Sequence, residues 1–325
     1  MYSKKIFARA LSIKDEQAKR KKGIYASLLQ EAKEKSKELT LLDLKIRSNG
    51  AKAAALALAG DFEGIAAAKK ENDGLIKQKA ALQEDLGIGE FEPECKLCND
   101  TGYVGGAICG CVKEIARDLA LKEIGSAAPI TSSRFDNFDI NYYPDQKGES
   151  NISPKERMTG IFAFCKDYAD SFNPKSESIL FLGGTGLGKT HLSLAIAGEV
   201  INKGYGVIYG TAQNLFNEMS REHFSYGEKS DALIDECLDC DLLIIDDLGT
   251  EFCTQFTLSA VYNIVNTRLL REKPTLISTN YSLAELEKIY SPRILSRIIG
   301  NYTMKKFYGN DIRQIKAVNK LNGNK

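Results

Sequence analysis

The chain has 325 residues, a formal net charge of +1, 43% hydrophobic residues and 27% charged residues. This composition is typical of a folded globular protein with two or three domains and excludes a highly charged, disordered chain. Because the overall charge is close to zero, any contact with nucleic acid must come from a local basic surface.

The N-terminal residues predict that the protein is not secreted. The opening sequence MYSKKIFARALSIKDEQ carries charges where a signal peptide has its apolar core. The most apolar run, 51–59, is short and contains Lys52, so it is not predicted to cross a bilayer. We therefore expect a cytoplasmic protein without membrane contact, whose 8 cysteines are thiols or metal ligands rather than disulfides.

Residues 1–92 are rich in Lys, Glu, Ala and Leu, and they contain no proline. Leu75, Leu82 and Leu86 have helical spacing, and Ser-Asn-Gly at 48–50 is typical of a helix end. This pattern predicts a helical hairpin or a short coiled-coil-like bundle. The alternative is a solvated charged arm, because the apolar periodicity is weak.

Residues 93–125 are predicted to form a small metal-binding module. Cys95, Cys98, Cys109 and Cys111 lie close together in a glycine-rich stretch. Four thiolates at this spacing suit a structural, tetrahedral Zn²⁺ site, and an iron–sulfur cluster is the rival interpretation. The other cysteines have no second pair nearby and are predicted to be core or packing residues: Cys165, Cys237, Cys240 and Cys253.

Residues 126–152 have the composition of a linker, and residues 153–325 have the alternating pattern of a single α/β domain. The domain starts with a capping box, Ser-Pro-Lys-Glu, at 153–156. Helical patterns then separate apolar runs of strand length at 178–183, 206–211, 242–247, 274–280 and 302–308. This order predicts a parallel sheet with helices on both faces.

A phosphate-binding loop follows the first of these strands. The motif G-x-x-x-x-G-K-[ST] is matched at every fixed position by Gly183, Gly184, Thr185, Gly186, Leu187, Gly188, Lys189 and Thr190. Glycines allow successive N–H groups to point at phosphate oxygens, and the next helix directs its positive end at the same site. Lys189 is expected to reach the β and γ phosphates of ATP, and the Thr190 hydroxyl is expected to ligate Mg²⁺.

The third strand ends in two carboxylates, Asp246 and Asp247. In a parallel sheet the carboxyl ends of the strands face the ligand. We therefore expect Asp246 beside the Mg²⁺ and Asp247 where it polarises a water molecule.

The motifs together resemble a known family. Residues from about 135 to 316 resemble the AAA+ module of the DnaC/DnaI group of replicative helicase loaders, which is related to the IstB transposition ATPases. The matching stretches are GGTGLGKTH at 183–191, LLIIDDLG at 242–249, LISTN at 276–280 and RILSRI at 293–298. Their order and spacing are more specific than a P-loop alone.

This resemblance implies roles for further residues. Asn280 resembles the sensor that holds the attacking water, and Arg297 resembles an arginine finger for a neighbouring subunit, with Arg293 as its rival. Arg313 resembles a second sensor, although only a reduced lid is expected after it. His191 follows the P-loop threonine, where the family often has histidine, and it is expected to pack the helix rather than act as a base.

Where many AAA+ proteins carry Glu, this chain has Asp247, which is one methylene shorter. The shorter side chain is expected to make ATP hydrolysis slow and switch-like.

The resemblance implies an ATP-dependent loader of a replicative helicase hexamer onto single-stranded DNA. Residues 1–92 would bind the helicase, and the ATP-bound modules would self-associate through AAA+ interfaces. Loaders of this group often carry a zinc cluster before the ATPase module. The alternatives are an IstB-like transposition helper that binds duplex DNA, and a nucleotide-gated scaffold with negligible hydrolysis.

The stretch after Asn301 is basic and interleaved with aromatic residues, which suits either single-stranded DNA or a solvated edge.

Overall fold

The computed structural model describes residues 2–128, 130–147, 151–224, 231–321 and 323. They form two compact units, one of which is Ala10–Val112, while the other contains the rest of the described chain. Parts of the predicted linker, namely Pro129 and residues 148–150, lie outside the described residues. None of the helices in the described ranges combines the length and the apolar character that a membrane span requires.

The front of the chain is helical, as predicted. Three long helices follow one another: α1 (Lys4–Lys35), α2 (Lys37–Ala59) and α3 (Phe62–Asp85). The Ser36 side chain accepts a hydrogen bond from the amide of Leu39 at the start of α2, and Asp61 caps α3 in the same way.

The prediction of a helix end at Ser48-Asn49-Gly50 is wrong, because α2 continues through these residues. The left-handed residue that ends α2 is Gly60, with φ 72°, and its amide bonds back to the last turn. Asn49 is buried in the middle of the helix. Packing of α2 along α3 therefore overrides the weak helix preference of this tripeptide.

Ion pairs hold the helical hairpin in register. Asp43 of α2 pairs with Lys33 of α1 and with Lys79 of α3, the latter at 2.5 Å. The turn between α2 and α3 exposes two large apolar side chains, Leu58 at 93% and Phe62 at 81%. The pair from early α2 to late α3 shows that these two helices run antiparallel.

The cysteine segment contains a two-stranded antiparallel hairpin, β1 (Tyr103–Val104) and β2 (Ala107–Ile108). The next helix is α4 (Gly110–Ala127). Three short 3₁₀ turns occupy much of the predicted linker: Ile130–Ser132, Phe135–Asn137 and Ile140–Tyr142.

The second half of the chain contains one parallel sheet, which confirms the predicted fold class. Its strands are β3 (Ser178–Leu182), β4 (Val207–Thr211), β5 (Leu242–Asp246), β6 (Thr275–Thr279) and β7 (Tyr302–Lys306). They lie side by side in the order β4-β5-β6-β3-β7, and each neighbouring pair is parallel. The strand ends differ from the predicted ends by no more than two residues.

Helices alternate with these strands. They are α5 (Pro154–Ser171), α6 (Lys189–Asn202), α7 (Ala212–Phe224), α8 (Ala232–Asp239), α9 (Gln255–Leu270), α10 (Leu283–Ile289), α11 (Pro292–Asn301) and α12 (Ile312–Leu321). The predicted capping box is present, since Ser153 and Glu156 bond to each other's amides.

The sheet is buried on both faces. Leu180, Leu243 and Ile277 pack into one cluster with α7, α8, α9 and α11. Their neighbours in sequence point to the opposite face because side chains alternate along a strand, and Phe181 on that face is also fully buried. A sheet covered in this way places its polar ligand-binding atoms at the carboxyl ends of the strands.

A fully buried arginine organises one end of the sheet. The Arg268 guanidinium donates hydrogen bonds to the carbonyls of Cys237, Cys240 and Pro274 and to Thr275 Oγ1. These bonds satisfy the carbonyl groups at the end of α8 and in the turn before β6.

Candidate nucleotide site and metal centre

The P-loop lies between β3 and α6, where the sequence places it. Gly186 and Gly188 have positive φ angles of 72° and 91°. A Cβ on Gly188 would lie 2.9 Å from the Phe138 ring and 2.9 Å from the Tyr143 hydroxyl, so only glycine fits there. The loop can therefore turn its amides towards one point at the start of α6.

Lys189 is buried at the base of this loop. Its ammonium group donates to the carbonyls of Gly183 and Gly184 and to Asn280 Oδ1, each at 2.7 Å. Burial lowers the pKa of Lys189, and the carboxylates of Asp246 and Asp247 oppose this effect. These oxygen partners hold the ammonium where phosphate oxygens of a nucleotide would replace them.

Thr190 and Asp246 form the predicted metal-binding pair. The Thr190 hydroxyl donates to Asp246 Oδ2 at 2.8 Å, and the Tyr209 hydroxyl donates to the same oxygen at 2.9 Å. Ser278 also donates to Asp246, whose side chain is almost fully buried. A hydroxyl beside a fixed carboxylate is a donor set that suits Mg²⁺ bound together with phosphate.

Asp247 follows the strand in a left-handed conformation, with φ 56°. Burial raises its pKa, and the neighbouring Asp246 charge raises it further. Asn280 Nδ2 donates to Asp247 Oδ1 at 3.0 Å, while its other amide atom accepts from Lys189. Asn280 thus connects Lys189 with the carboxylate predicted to act on water.

Arg313 and His191 also line the cleft, together with Thr185 and Leu187 of the P-loop. The amide of Ile312 donates to the Gly186 carbonyl at 3.0 Å, which brings Arg313 to the loop. His191 Nε2 lies 2.8 Å from the Arg134 carbonyl oxygen, and burial lowers the pKa of the imidazole.

Sequence reasoning missed part of the cleft wall. Asn137, Phe138, Asp139 and Tyr142, all from the predicted linker, line the cleft. The Tyr143 hydroxyl donates to the P-loop carbonyl of Leu187 at 2.8 Å. A concentration of aromatic residues at 135–143 was the signal, because linkers rarely contain so many.

The two candidate finger arginines lie on α11, and neither lines the cleft of its own chain. The Arg297 guanidinium lies over the Tyr262 ring, 5.6 Å from its centroid, and bonds weakly to its hydroxyl. Arg293 is exposed and has no ion pair in the described part of the chain. The finger role of either arginine therefore stays a prediction.

The four predicted cysteine ligands converge. The Sγ atoms of Cys95 and Cys109 are 3.7 Å apart, those of Cys98 and Cys111 are 3.6 Å apart, and all four lie within 4.8 Å of one another. Tetrahedral Zn²⁺ with Zn–S bonds of about 2.3 Å requires sulfur separations of about 3.8 Å. The residues therefore fit zinc.

Hydrogen bonds favour a thiolate at Cys95 and order the segment around it, whereas burial raises the pKa of Cys111. Backbone and side-chain hydrogen bonds from Cys98 lower the pKa of Cys95 to about 7. Asp100 accepts from the amides of Glu94 and Cys95, each at 2.9 Å, and pairs with the buried Lys14 of α1 at 2.7 Å. Burial raises the pKa of Asp100, but the Lys14 bond and the amides outweigh it and the pKa is lowered.

The remaining cysteines agree with the packing prediction in part. Cys165 and Cys237 are fully buried, and Cys240 is partly buried and contacts Arg268. Cys253 is exposed, so its prediction as a packing residue is wrong. It follows the buried Glu251 in a loop whose next side chains face solvent. Among the described residues these cysteines form no second metal cluster.

Comparison with known proteins places this site in a family context. Residues 167–306 match the family described as IstB-like ATP binding protein. The replicative helicase loader DnaC of Escherichia coli strain K12 is 27% identical over 162 residues, covering 50% of this chain and 62% of that protein. The chain is thus similar in sequence to an IstB-like ATP-binding family and to DnaC-type helicase loaders. The predicted resemblance to DnaC-type loaders is therefore confirmed.

Two further matches also cover only part of the chain. The ATP-binding protein of insertion sequence IS5376 from Geobacillus stearothermophilus is 29% identical over 126 residues, covering 39% of this chain and 49% of that protein. A crystal structure of the DnaC helicase loader aligns with 56% of this chain and 100% of its own, with TM-score 0.47 and 20% identity. The chain thus spans about three fifths of the length of the DnaC relatives it matches first.

Proposed function

We propose that this protein is an ATP-dependent loader that places a replicative helicase hexamer on single-stranded DNA in the cytoplasm. The proposal rests on the geometry of the cleft together with the sequence match to a helicase loader. Lys189, Asp247 and Asn280 line a single cleft, and Asp246 bonds to the Thr190 hydroxyl beside them. Half of the chain aligns with the helicase loader DnaC.

ATP would bind in this cleft with Mg²⁺ between Thr190 and Asp246. Lys189 would neutralise the β and γ phosphates, and Asp247 would act on the water that Asn280 positions. The short Asp247 side chain, tied to Asn280 at 3.0 Å, supports slow, switch-like hydrolysis. Arg297, with Arg293 as the rival, would enter the site of the next subunit when ATP-bound modules self-associate.

The helical unit would bind the helicase. Its hairpin exposes Leu58 and Phe62 at the turn and Leu41 and Leu44 along α2. Exposed apolar side chains on a helix are the anchors through which one helix packs on another protein's helix. The zinc site would be structural, because all four ligand positions are filled by cysteine.

Two surfaces of the AAA+ module are candidates for single-stranded DNA. In the basic stretch after Asn301, Lys305 lies over the Phe164 ring and Lys306 over Tyr308, so these rings already have cationic partners; Lys325 lies outside the described residues. The rings of Phe224, Phe256 and His223 form another cluster, and Phe224 is 65% exposed. We favour this second cluster because open rings can stack on bases.

The second candidate function is an IstB-like transposition helper that acts on duplex DNA. The match of residues 167–306 to the IstB-like family favours it, as does the insertion-sequence relative. The helical front and the four-cysteine cluster favour the loader, because loaders of the group that this chain resembles often carry such a cluster before the ATPase module.

Size-exclusion chromatography of the full chain with the replicative helicase of its host tests the proposal. We expect co-elution in ATP, retained for Lys189→Ala and reduced for the double variant Leu58→Ser, Phe62→Ser. The absence of a complex in every nucleotide condition, together with ATP-dependent binding to duplex DNA, would support the transposition helper. ATP binding without phosphate release, with or without single-stranded DNA, would support a nucleotide-gated scaffold.

A further inference from the structure

Glu251 is a buried carboxylate that the proposed mechanism leaves unused. Glu251 is only 6% exposed. Among the described residues, no lysine or arginine lies within ion-pair distance of its carboxylate. A carboxylate removed from water without a cationic partner costs free energy of folding. Its position therefore calls for a reason other than stability.

Both carboxylate oxygens have specific partners. Oε2 accepts a hydrogen bond from the Gly249 amide at 2.9 Å, and Oε1 accepts one from the Tyr290 hydroxyl. Gly249 has φ 103° and packs so tightly against Tyr281 that a Cβ there would lie 2.7 Å from its ring. The carboxylate and the close contact with Tyr281 therefore hold the loop around Gly249 as a rigid segment.

This loop begins at the nucleotide site. Asp247, Leu248 and Gly249 are consecutive, and Thr250 Oγ1 donates to the Asp247 carbonyl at 2.8 Å. The Asp247 and Leu248 amides donate to Ser278 Oγ and to the Ser278 carbonyl, on strand β6, which leads to Asn280. A shift of Asp247 would consequently displace the atoms that Glu251 holds.

The other partner, Tyr290, lies two residues before α11, the helix that carries Arg293 and Arg297. Tyr290 is the residue that ends α10, and Pro292 begins α11. Tyr290 is 3% exposed, and its amide is bonded to the Leu286 carbonyl at 2.8 Å. The Glu251–Tyr290 hydrogen bond is thus a direct connection between the Asp247 loop and the helix of the candidate fingers.

The geometry points to Glu251 and Tyr290 as positioning residues that set α11 according to the state of the subunit's own nucleotide site. The inference rests on the proposed function, because it requires that an arginine of α11 acts on a neighbouring subunit. The pair touches no nucleotide. The pair positions α11. Its loss should therefore weaken the action of the α11 arginine on the neighbouring subunit's ATP hydrolysis more than it weakens ATP binding and hydrolysis in the subunit's own cleft.

Mixed assemblies separate these two effects. The acceptor subunit supplies the nucleotide cleft: it carries Arg297→Ala and keeps the cleft intact. The donor subunit supplies the arginine of α11: it carries Lys189→Ala and keeps α11 intact. The mixture should hydrolyse ATP faster than either variant alone. If it does not, and if Arg293→Ala acceptors also fail, the trans-arginine part of the proposed function is wrong, independently of Glu251.

Tyr290→Phe, which removes the hydroxyl group bonded to Glu251, is then introduced into one partner at a time. In the donor we expect the restored hydrolysis to fall about tenfold, since small misplacements of a catalytic group have effects of this order or larger. In the acceptor we expect a change of less than about twofold, and in both we expect unaltered affinity for a fluorescent ATP analogue. The matched control is Tyr168→Phe, which removes another buried tyrosine hydroxyl bond, to the Glu177 carbonyl at 2.9 Å.

Equal losses in donor and acceptor would overturn the inference, since they would show that the pair only maintains the cleft or the fold. No loss in the donor would overturn it as well. Thermal melting completes the test: Tyr290→Phe should lower the melting temperature no more than Tyr168→Phe does, since each removes one hydroxyl hydrogen bond of a buried tyrosine. A larger fall in melting temperature that parallels the lost activity would assign the pair a purely structural role.

Discussion

The two units of this chain bury their side chains to very different degrees. In the parallel-sheet module, β3, β5 and β6 are buried along almost their whole length. In the helical unit, α2 buries Leu39, Leu42 and Asn49, while α3 buries only Ala68. We infer that the module folds around its own apolar core, whereas the front unit depends on ion pairs and on its metal site for order.

The largest effect should come from Lys189→Ala, which acts on the module alone. Removal of the ammonium group should lower ATP hydrolysis by about 10²–10³-fold, since one such electrostatic contact is worth this much in catalysis. Phosphate release and zinc content would be measured on the same samples. Lys203→Ala is the matched control, because that lysine donates to the Ala169 carbonyl, 2.7 Å away, and does not line the cleft. An equal loss in the control would contradict this assignment.

Cys98→Ser should unfold the front unit and leave the fold of the parallel-sheet module unchanged. Zinc content should fall and the unit around residues 10–112 should lose its thermal transition, because metal binding and folding are coupled in small thiolate sites. ATP affinity should persist. Cys253→Ser, at an exposed cysteine outside the cluster, is the control. Full helical content and an unchanged transition after zinc loss would show that the front unit does not require the metal.

Lys14→Met should have a smaller effect on the same metal site. Lys14 pairs with Asp100, whose oxygens hold the Cys95 amide. Loss of such an outer-shell partner should reduce zinc affinity about 10–100-fold, as measured by competition with a chromogenic chelator. Lys19→Met, in an exposed pair with Asp15 on the same helix, should leave zinc affinity unchanged.

Leu58→Ser should have the smallest effect on stability. Because Leu58 is 93% exposed, the change in unfolding free energy should stay within about 0.5 kcal/mol. Leu39→Ala, at a fully buried site in the same helix, should cost about 2–5 kcal/mol. Chemical denaturation followed by circular dichroism compares the two. Similar losses of unfolding free energy in the two variants would mean that Leu58 is buried in solution, in contrast to its exposure in this structure.

The fold of the module could be predicted because its signals are local and strong. Buried parallel strands appear as continuous apolar runs, and the run 242–247 was placed to within one residue of β5 (Leu242–Asp246). The P-loop and the paired aspartates lie where strand ends must lie. Sequence spacing therefore anticipated that Lys189, Asp246 and Asp247 would converge, and the resemblance to loaders supplied Asn280.

The remainder depends on contacts between distant residues. Ser-Asn-Gly at 48–50 stays helical because α2 packs on α3, which no local pattern reveals. Helix α8 is short, and Arg268, which holds its end, lies about thirty residues further along the chain. The aromatic wall at Phe138 and Tyr143 depends on tertiary contact with the P-loop, so composition alone indicated a linker there.

That aromatic wall has a practical consequence for dissecting the protein. A fragment that starts at the Ser153 capping box would contain every phosphate-binding residue, yet it would leave the Leu187 carbonyl without its Tyr143 hydroxyl donor and expose the side of Gly188. A fragment that is meant to retain nucleotide binding should therefore begin before residue 130. Trimming to the sequence motif would yield a protein that binds triphosphate weakly although all its motif residues are intact.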